Sequence, residues 1–427
     1  MSNRSAVVRL LKTNASFRRL WAAQLVSLGG DWFNTVALLG LTLELTGSAL
    51  ASGLVLAASI LPGFLIAPIA GPMADRFNRR TLMIGSDVIR VFLALGMLLV
   101  DSRATVWIGI ACLTGISTFG AIFYPASGAS LPNLVSDDEL AAANTLMSAS
   151  WGTMLAIGAA LGGWVATYLG RDTAFIINAA SFVLSALLIV RIRGNFTASG
   201  TSRHGSKTGF REGIAYARSD PRILALLATK GGFGLGVGVV ALLPILATDV
   251  FKAGDQGIGL LFAARGLGAL FGPFVAVKLV GTSNRRLLSA LGWAMGLYGF
   301  AYLIVSTSPA LGLAAGLAVI AHLGGGAQWV LSSYGLQRLA PDYVRGRILS
   351  MDLGLVSLTV GVSSIAAGRL ADLYPPRIVM AGLAVVELAY AGIWTLATRR
   401  IRKHADDEPS KGTTEPDLTS ITVEGVP

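Results

Sequence analysis

The feature that most constrains this chain is a series of long apolar segments. A membrane-spanning helix needs about 20 apolar residues, and the 427 residues contain twelve such segments, numbered here as spans 1 to 12. They lie at 20–44, 48–70, 81–100, 104–130, 140–169, 171–190, 222–250, 256–280, 286–306, 309–338, 346–374 and 376–398. Only 13% of the residues are charged, whereas soluble domains carry about a quarter. The sequence therefore predicts an all-α membrane protein with twelve transmembrane helices.

The distribution of Lys and Arg predicts the orientation. If both termini are cytoplasmic, the inside loops hold roughly 25 of the 34 Lys and Arg residues, as the positive-inside rule requires. The outside loops then hold only Arg103, Arg171, Lys252 and Arg377. The first 20 residues are basic and lack a cleavable signal. We expect a multi-pass protein of a bacterial inner membrane with both termini inside. Topology also explains the net charge of +11 without a nucleic-acid partner.

One long polar loop divides the chain. Residues 191–221 are basic and rich in Gly and Ser, and we expect a cytoplasmic linker there. It separates an N-terminal six-helix bundle, 1–190, from a C-terminal six-helix bundle, 222–400. A weak repeat relates the halves, because Gly71-Pro72 with Arg79-Arg80 corresponds to Gly272-Pro273 with Arg285-Arg286. After Lys403 the chain turns acidic and rich in Pro, Ser and Thr, which predicts a disordered cytoplasmic tail over 401–427.

The loop between spans 2 and 3 is short and charged. Gly71 and Pro72 favour a tight turn, and one acid, Asp75, follows among Arg76, Arg79 and Arg80. We expect a conformational latch in which Asp75 caps the start of span 11, near 344–347. Asp87 and Arg90 lie three residues apart on span 3 and are neighbours on one helix face. We interpret them as a structural ion pair close to this loop and assign them to the same latch.

Charged residues at membrane depth are functional candidates by default. Asp31 lies about 18 Å into span 1 at 1.5 Å per residue, on a polar stripe formed by Gln24, Ser27, Asp31, Asn34 and Thr35. We expect it to act in proton coupling or substrate binding; the alternative is a structural acid between helices. Glu387 is the second candidate for proton coupling. It can pair with Arg265, or both can bind charged substrate. Lys230 is expected to extend its ammonium group to the interface.

Aromatic and polar side chains within the spans suggest a substrate cavity, where an amphipathic solute would find stacking and apolar contact. The alternative for each is packing against helices or lipid. The candidates are Gln24, Asn34, Phe119, Phe123, Tyr124, Trp151, Phe233, Arg265, His322, Gln328 and Trp329. His322 relays protons or is satisfied by a neighbouring hydroxyl or carbonyl group. The run from Gly158 to Gly163 predicts a surface of small residues for close helix contact.

The loop motif carries a family resemblance. Residues 71–80 fill every position of G-x-x-x-D-R-x-x-R-R, and so resemble the loop between helices 2 and 3 of the major facilitator superfamily. The stretch 123–135 and the residues 139–144 resemble the enterobactin-exporter and macrolide-efflux branch, the transmembrane secretion effector family. The resemblance implies alternating access, a cavity lined by spans 1, 4, 7 and 10, and export of drugs or siderophores in exchange for protons. Two departures concern direction: Ala159 replaces the proline that usually follows Gly158, and span 4 lacks the arginine common in drug–proton antiporters.

These observations predict a proton-coupled exporter of an amphipathic small molecule, such as a drug, a macrolide-like compound or a siderophore. The alternatives are an importer, a lysophospholipid flippase, and a non-transporting receptor or scaffold. An enzyme is not expected, because no dinucleotide, phosphate-binding or nucleophile motif stands in a suitable context. With three His residues and Cys112 as the single cysteine, neither a cofactor nor a metal site is expected. The expected partners are substrate, protons and the lipid bilayer, with the protein acting as a monomer.

Overall fold

The computed structural model describes residues 3–193, 196, 209–281 and 283–405. Its helices reproduce the twelve predicted spans in order, with three shorter helices outside them. Spans 1 to 12 correspond to Ala15–Thr46, Ala49–Arg76, Arg79–Gly96, Val106–Ser130, Asp137–Tyr168, Arg171–Val190, Pro221–Val237, Gly254–Val280, Asn284–Thr307, Leu311–Leu339, Asp342–Leu373 and Pro376–Ala397, and the shorter helices are Asn3–Thr13, Gly209–Ser219 and Arg399–His404.

Span 7 is the irregular helix. After Pro221–Val237 it continues through a 3-10 segment, Gly238–Leu242, a short α-turn, Leu243–Ile245, and a π-turn, Leu246–Val250. Further single 3-10 turns, Met97–Leu99 and Leu131–Asn133, follow spans 3 and 4. The five glycines between 231 and 238 lower the helix propensity of span 7, and Pro244 lacks an amide proton. Both effects favour a break in the regular hydrogen-bond pattern at this level.

Eleven helices in the described part of the chain are long and apolar enough to cross a membrane. Span 1 is not among them, because its polar stripe lowers its mean hydropathy. It is nevertheless 32 residues long and packs along spans 5 and 6 within the bundle. The predicted fold class is therefore confirmed, with span 1 held in the bundle by its neighbours rather than by hydropathy alone.

The turn between spans 2 and 3 lies later than predicted. Gly71 and Pro72 are inside the helix Ala49–Arg76, which ends only at Arg76. The side chain of Asn78 then caps span 3, accepting hydrogen bonds from the amides of Arg80 and Thr81 at 3.0 and 3.3 Å. A side-chain acceptor at the N-cap fixes a helix start, so Asn78 rather than Gly71 sets the position of the turn.

The two halves meet through small residues. We call the end of the bundle that holds the 71–80 loop the inner end, after its predicted cytoplasmic side, and the opposite end the outer end. Near the outer end, a Cβ on Gly163 of span 5 would lie only 2.8 Å from the Cα of Gly259 on span 8. A Cβ on Gly158 would lie 3.1 Å from the carbonyl oxygen of Gly29 on span 1. The predicted small-residue surface on span 5 is thus confirmed, and it faces both neighbours.

Spans 2 and 11 form the second contact between the halves. A Cβ on Gly368 would lie 2.6 Å from the carbonyl oxygen of Ala49, and one on Gly53 would lie 2.4 Å from that of Ser364. Toward the inner end the same helices separate: Gly71 and Gly346 have no neighbouring atom within 4 Å of the Cβ position. The helices therefore close the bundle at the outer end and diverge at the inner end.

The predicted linker and tail are partly helical. Gly209–Ser219 is a helix that packs against span 11, whereas 194–195 and 197–208 lie outside the described residues. At the end of the chain, Arg399–His404 is a short helix. The prediction of a disordered tail from residue 401 is therefore wrong for its first residues; 406–427 lie outside the described part of the chain.

Candidate functional site

A cavity of about 390 Å³ lies between the two halves. Most of its wall comes from spans 1, 2 and 4, with additions from spans 3, 5, 7, 8 and 11. The side chains that matter most to the chemistry are polar, charged or aromatic; among the lining residues these are Gln24, Asp31, Trp32, Thr35, Ser59, Arg90, Ser117, Tyr124, Trp151, Arg265 and Ser364. The halves are in close contact at the outer end, whereas Gly71 and Gly346 have no neighbour at the inner end, and this asymmetry favours an opening of the cavity toward the inner end.

A charged network crosses from span 1 to span 6 at the wall of this cavity. Arg90 donates a hydrogen bond from Nη2 to Oδ2 of Asp31 at 2.7 Å. Its Nη1 donates to Oδ1 of Asp87 at 3.3 Å and to the hydroxyl oxygen of Ser27 at 3.0 Å. Ser185 of span 6 donates to the other oxygen of Asp87 at 2.6 Å. One guanidinium group therefore joins two carboxylates from different helices.

The three charges differ in their access to the cavity. The side chains of Arg90 and Asp87 are 1% and 0% exposed, whereas that of Asp31 is 25% exposed. The guanidinium group of Arg90 is also stacked 4.0 Å above the ring centre of Phe182. Arg90 and Asp87 are thus held inside the protein, and Asp31 is the member of the network with the most exposed side chain.

This arrangement corrects the interpretation of Asp87 and Arg90 as an ion pair near the loop. Arg90 lies eleven residues beyond the first residue of span 3, Arg79, which corresponds to about 16 Å along a helix axis. That depth matches the depth of Asp31 on span 1. Arg79, by contrast, is at the loop, where it donates to the carbonyl oxygens of Ala74 and Ala129 at 3.1 and 2.7 Å.

The predicted latch is open in this conformation. Asp75 is exposed and makes no hydrogen bond or ion pair within the described part of the chain, and Arg76 beside it is also exposed. Arg80 donates a short hydrogen bond to the carbonyl oxygen of Val190 at the end of span 6. Arg79 and Arg80 therefore anchor the loop to its own half, and Asp75 makes no hydrogen bond or ion pair with the described residues of span 11.

The predicted cavity residues separate into two groups. Gln24, Tyr124, Trp151 and Arg265 line the cavity. The other candidates are not among its lining residues: Asn34, Phe119, Phe123, Phe233, His322, Gln328 and Trp329. Helix packing accounts for several of these, because Asn34, Phe123 and Gln328 are fully buried. A residue on span 1, 4, 7 or 10 therefore does not necessarily line the cavity, because the rotation of each helix about its axis decides which of its faces lies toward the cavity.

Two of the buried candidates make hydrogen bonds within the protein. His322 shares a 2.9 Å hydrogen bond with the hydroxyl group of Tyr302. This contact agrees with the second of the two predictions for His322, a histidine satisfied by a neighbouring hydroxyl or carbonyl group. Gln328 donates to the carbonyl oxygen of Thr229 at 2.8 Å and links spans 7 and 10. Glu387 is 1% exposed and packs against Gly236 of span 7, where a Cβ would lie 2.5 Å from Oε2. The structure places Glu387 away from the cavity wall.

The second half contains an ion pair that sequence reasoning missed. Lys230 does not extend to the interface; its Nζ lies 3.5 Å from Oδ2 of Asp352 on span 11 and 4.1 Å from the ring centre of Trp329. Ser333 also donates to Asp352, at 3.1 Å. The sequence does contain a signal for this pair: Asp352 lies inside predicted span 11, and a charge at membrane depth seldom lacks a partner.

Polar contacts strengthen the closed outer end. Arg171 at the start of span 6 donates to Glu44 of span 1 at 2.6 Å and to both oxygens of Asp255 on span 8, at 2.8 and 3.2 Å. Asp372 of span 11 accepts hydrogen bonds from the hydroxyl group of Ser48, at 2.7 Å, and from the amide of Ala49, at 2.6 Å. The contacts of Arg171 with Asp255 and of Asp372 with Ser48 and Ala49 join one half of the bundle to the other, whereas the contact of Arg171 with Glu44 lies within the N-terminal half.

Almost the whole chain matches a known protein family. Residues 11–424 match the description "transmembrane secretion effector". The chain belongs to this transporter family. This chain is 28% identical to the uncharacterized MFS-type transporter YfiS of Bacillus subtilis strain 168, over 52% of this chain and 53% of the relative.

Two longer matches carry functional names. The chain is 26% identical to the putative bacilysin exporter BacE of Bacillus subtilis strain 168, over 84% of this chain and 88% of the relative. It is also 26% identical to the multidrug efflux pump Tap of Mycobacterium tuberculosis strain H37Rv, over 82% and 85%. The relatives that it matches along most of their length are thus named as exporters.

A solved structure shares the fold. A bacterial homologue of the human lysosomal transporter Spinster, in an inward-facing and unoccupied conformation, superposes with a TM-score of 0.70. The match covers 92% of this chain and 98% of that chain at 16% identity. At this identity the likeness establishes the major facilitator fold alone.

Proposed function

We propose that this transporter exports amphipathic small molecules in exchange for protons, by alternating access. The observation that carries the proposal is the network of Asp31, Arg90 and Asp87 at the wall of a cavity that is closed at one end. A charge inside a membrane is energetically costly, so the charged residues found there are usually paired or functional. This network is paired, and one of its acids also faces the space through which a solute would pass.

The charge balance of the network suits proton exchange. Asp31 and Asp87 carry two negative charges when ionised, and Arg90 supplies one positive charge. The network therefore has a net charge of −1, which either one proton or a cationic group of the substrate neutralises. The proton and the cationic group of the substrate compete to neutralise the same negative charge near Asp31, so binding of the proton disfavours binding of the substrate and the reverse. This competition is the thermodynamic requirement for exchange.

The conformational part of the proposal uses the two ends of the bundle. Small residues, Arg171 and Asp372 hold the outer ends together here, while the inner ends diverge. In the opposite state the outer contacts break and the inner ends close, with Asp75 reaching the start of span 11. Rocking of two rigid halves about the central cavity is the motion known for folds built from such repeats.

The direction of transport is proposed from the relatives. BacE and Tap are named as an exporter and an efflux pump, and both match along more than four fifths of this chain. The same cavity would serve an importer, so the geometry favours neither direction. Export across the inner membrane is consequently the part of the proposal that depends on family membership.

Transport by the purified protein in liposomes tests the proposal. An imposed proton gradient should drive accumulation of ethidium, an amphipathic cation, against its concentration gradient. Protein-free liposomes and liposomes treated with a protonophore should show only passive entry. Accumulation that is indifferent to the proton gradient would contradict proton exchange. Movement of a fluorescent lysophospholipid between leaflets, without transport of any soluble solute, would replace the exporter by a flippase.

A further inference from the structure

Arg265 of span 8 is the charged residue of the cavity that the network does not explain. It lines the cavity and is partly exposed. Its buried Nε has no hydrogen-bond partner. Within the described part of the chain its side chain makes no hydrogen bond or ion pair. Arg265 therefore lines the cavity with hydrogen-bond donors that no group in the described part of the chain accepts.

Three other cations on the described parts of the spans each have a carboxylate partner. Arg90 pairs with Asp31, Lys230 with Asp352, and Arg171 with Asp255. Arg265 and Glu387 do not form the pair that the sequence allowed, since Glu387 packs against span 7 and away from the cavity. A charge that is partly removed from water and lacks a counter-charge is unfavourable. The counter-charge of Arg265 should accordingly come from something that enters the cavity.

Neighbouring residues fix the position of Arg265. A Cβ on Gly266 would lie 2.4 Å from the backbone nitrogen of Ala156 on span 5, so the two helices are in direct backbone contact. Another close approach, between Gly268 and the carbonyl oxygen of Val319, holds the opposite side of span 8 against span 10. A guanidinium group carried on a helix clamped in this way is preorganised, which reduces the entropic cost of binding.

An apolar surface lies beside the guanidinium group. The carbon Cζ of Arg265 is 5.7 Å from the ring centre of Phe262, and Phe262 packs against Trp32 with ring centres 6.0 Å apart. Trp151 meets Trp32 edge to face at 6.5 Å. Trp32 and Trp151 line the cavity, and Trp32 directly follows Asp31 in the chain. The wall of the cavity therefore includes a cation, an acid and two tryptophan side chains.

We propose that Arg265 binds an oxyanion of the transported molecule, a carboxylate or a phosphate group. A guanidinium group pairs with either through two parallel hydrogen bonds. The inference depends on the proposed function, because it takes this cavity to be the transport site. With a cationic group near Asp31 and an oxyanion at Arg265, the substrate is an amphipathic zwitterion whose apolar part contacts Trp32 and Trp151.

Binding to the purified protein in a non-ionic detergent tests this inference separately from transport. The probes share one skeleton: 4-phenylbutyrate is an anion, 4-phenylbutanamide is neutral and homophenylalanine is a zwitterion. Tryptophan fluorescence or calorimetry gives the dissociation constants. Arg265→Gln should weaken binding of the two carboxylates about 10-fold or more, since a hydrogen bond to a charged group contributes about 1.5–3 kcal/mol. Binding of the neutral amide should change less than about two-fold by the same reasoning.

Two further variants keep the result interpretable. Arg265→Lys retains the charge and should retain part of the carboxylate affinity, which separates charge loss from misfolding. Arg103→Gln removes an exposed arginine outside the cavity and should leave every affinity unchanged. Equal weakening of all three probes by Arg265→Gln, or no weakening, would overturn the assignment.

The remaining arms identify the source of the oxyanion and the link to transport. Binding of lysophosphatidylglycerol, lost in Arg265→Gln, with no binding of the free carboxylates, would support the site but assign the oxyanion to a lipid headgroup. Charge-selective, Arg265-dependent binding in a protein that moves no solute would support this site and contradict the proposed transport. Proton-driven ethidium transport that is unchanged in Arg265→Gln, together with no preference for carboxylates, would leave the exporter proposal standing and refute this one.

Discussion

The carboxylate of Asp372, at the outer end of span 11, accepts a 2.6 Å hydrogen bond from the amide of Ala49, the first residue of span 2. It thereby caps a helix in the opposite half of the bundle, where the macrodipole favours a negative charge. The sequence predicted the same kind of contact at the other end, with Asp75 of the 71–80 loop capping span 11. The two acids are thus proposed to act as alternating caps, one for each state.

Removal of the outer cap should shift the conformational equilibrium. Asp372→Ala should destabilise the outer-closed state by about 1 kcal/mol, the usual contribution of a cap, and so increase the outer-open population. Spin labels at Leu169 and Leu373, exposed at the outer ends of opposite halves, should show an added longer distance in the variant. An unchanged distance distribution would mean that small-residue packing alone holds the outer end closed.

Asp75 should matter for transport more than for binding. It has no partner in the described part of the inner-open state, so Asp75→Asn should leave substrate affinity within a few-fold and the melting temperature unchanged. Transport should nevertheless fall strongly, because the inner-closed state loses its cap. Loss of binding together with loss of transport would contradict the latch. Asp172→Asn, which changes an exposed acid at the outer end, is the matched control.

Asp31 should be the coupling acid. Asp31→Asn removes a titratable group from the cavity wall while keeping its shape, so accumulation against a gradient should be lost but downhill exchange should remain and become insensitive to pH. Transport in liposomes with and without a proton gradient measures both. Glu387→Gln is the comparison, because Glu387 is buried away from the cavity. Normal uphill transport by Asp31→Asn would transfer the coupling role to Glu387 or Asp87.

Arg90 should be critical to stability. Arg90→Gln leaves Asp31 and Asp87 without their counter-charge, and breaking a buried pair in this way costs about 3–5 kcal/mol. The melting temperature in detergent should fall clearly. The double variant Asp87→Asn/Arg90→Gln should recover part of the loss, because one buried charge is removed with its partner. No recovery, or a decrease no larger than in Arg103→Gln, would show that the network contributes little to stability.

Thiol labelling distinguishes the lining of the cavity from the positions that the sequence proposed. In a Cys112→Ser background, cysteines at Ser59 and Ser117, which line the cavity, should react with a water-soluble thiosulfonate and be protected by substrate. Cysteines at Asn34 and Phe123, which are fully buried, should stay unreactive. Reaction at Asn34 with protection by substrate would restore the original prediction and contradict the helix rotations described above.

Much of this protein is determined by local sequence. Segment length and apolarity are set by the thickness of the bilayer, so the sequence predicts the spans, with span 2 ending six residues later than expected. The motif at 71–80 indicates the superfamily, and the stretches 123–135 and 139–144 indicate the family. Asp31 was also found from the sequence, because an acid in an apolar segment is conspicuous wherever its helix points. The small-residue face from Gly158 to Gly163 was predicted for the same reason, since it follows from residue size and spacing on one helix.

The choice of partners was decided only by the tertiary structure. Asp31 pairs with Arg90 across spans 1 and 3, Lys230 pairs with Asp352 across spans 7 and 11, and Arg265 has no counter-charge in the described residues. Each outcome depends on how far neighbouring helices are rotated and displaced, which is set by packing summed over many side chains rather than by any one segment. The same rotations bury Asn34 and Phe123 while exposing Trp151 to the cavity. Residue spacing fixes which side chains share a helix face, but only the packed bundle determines what that face meets.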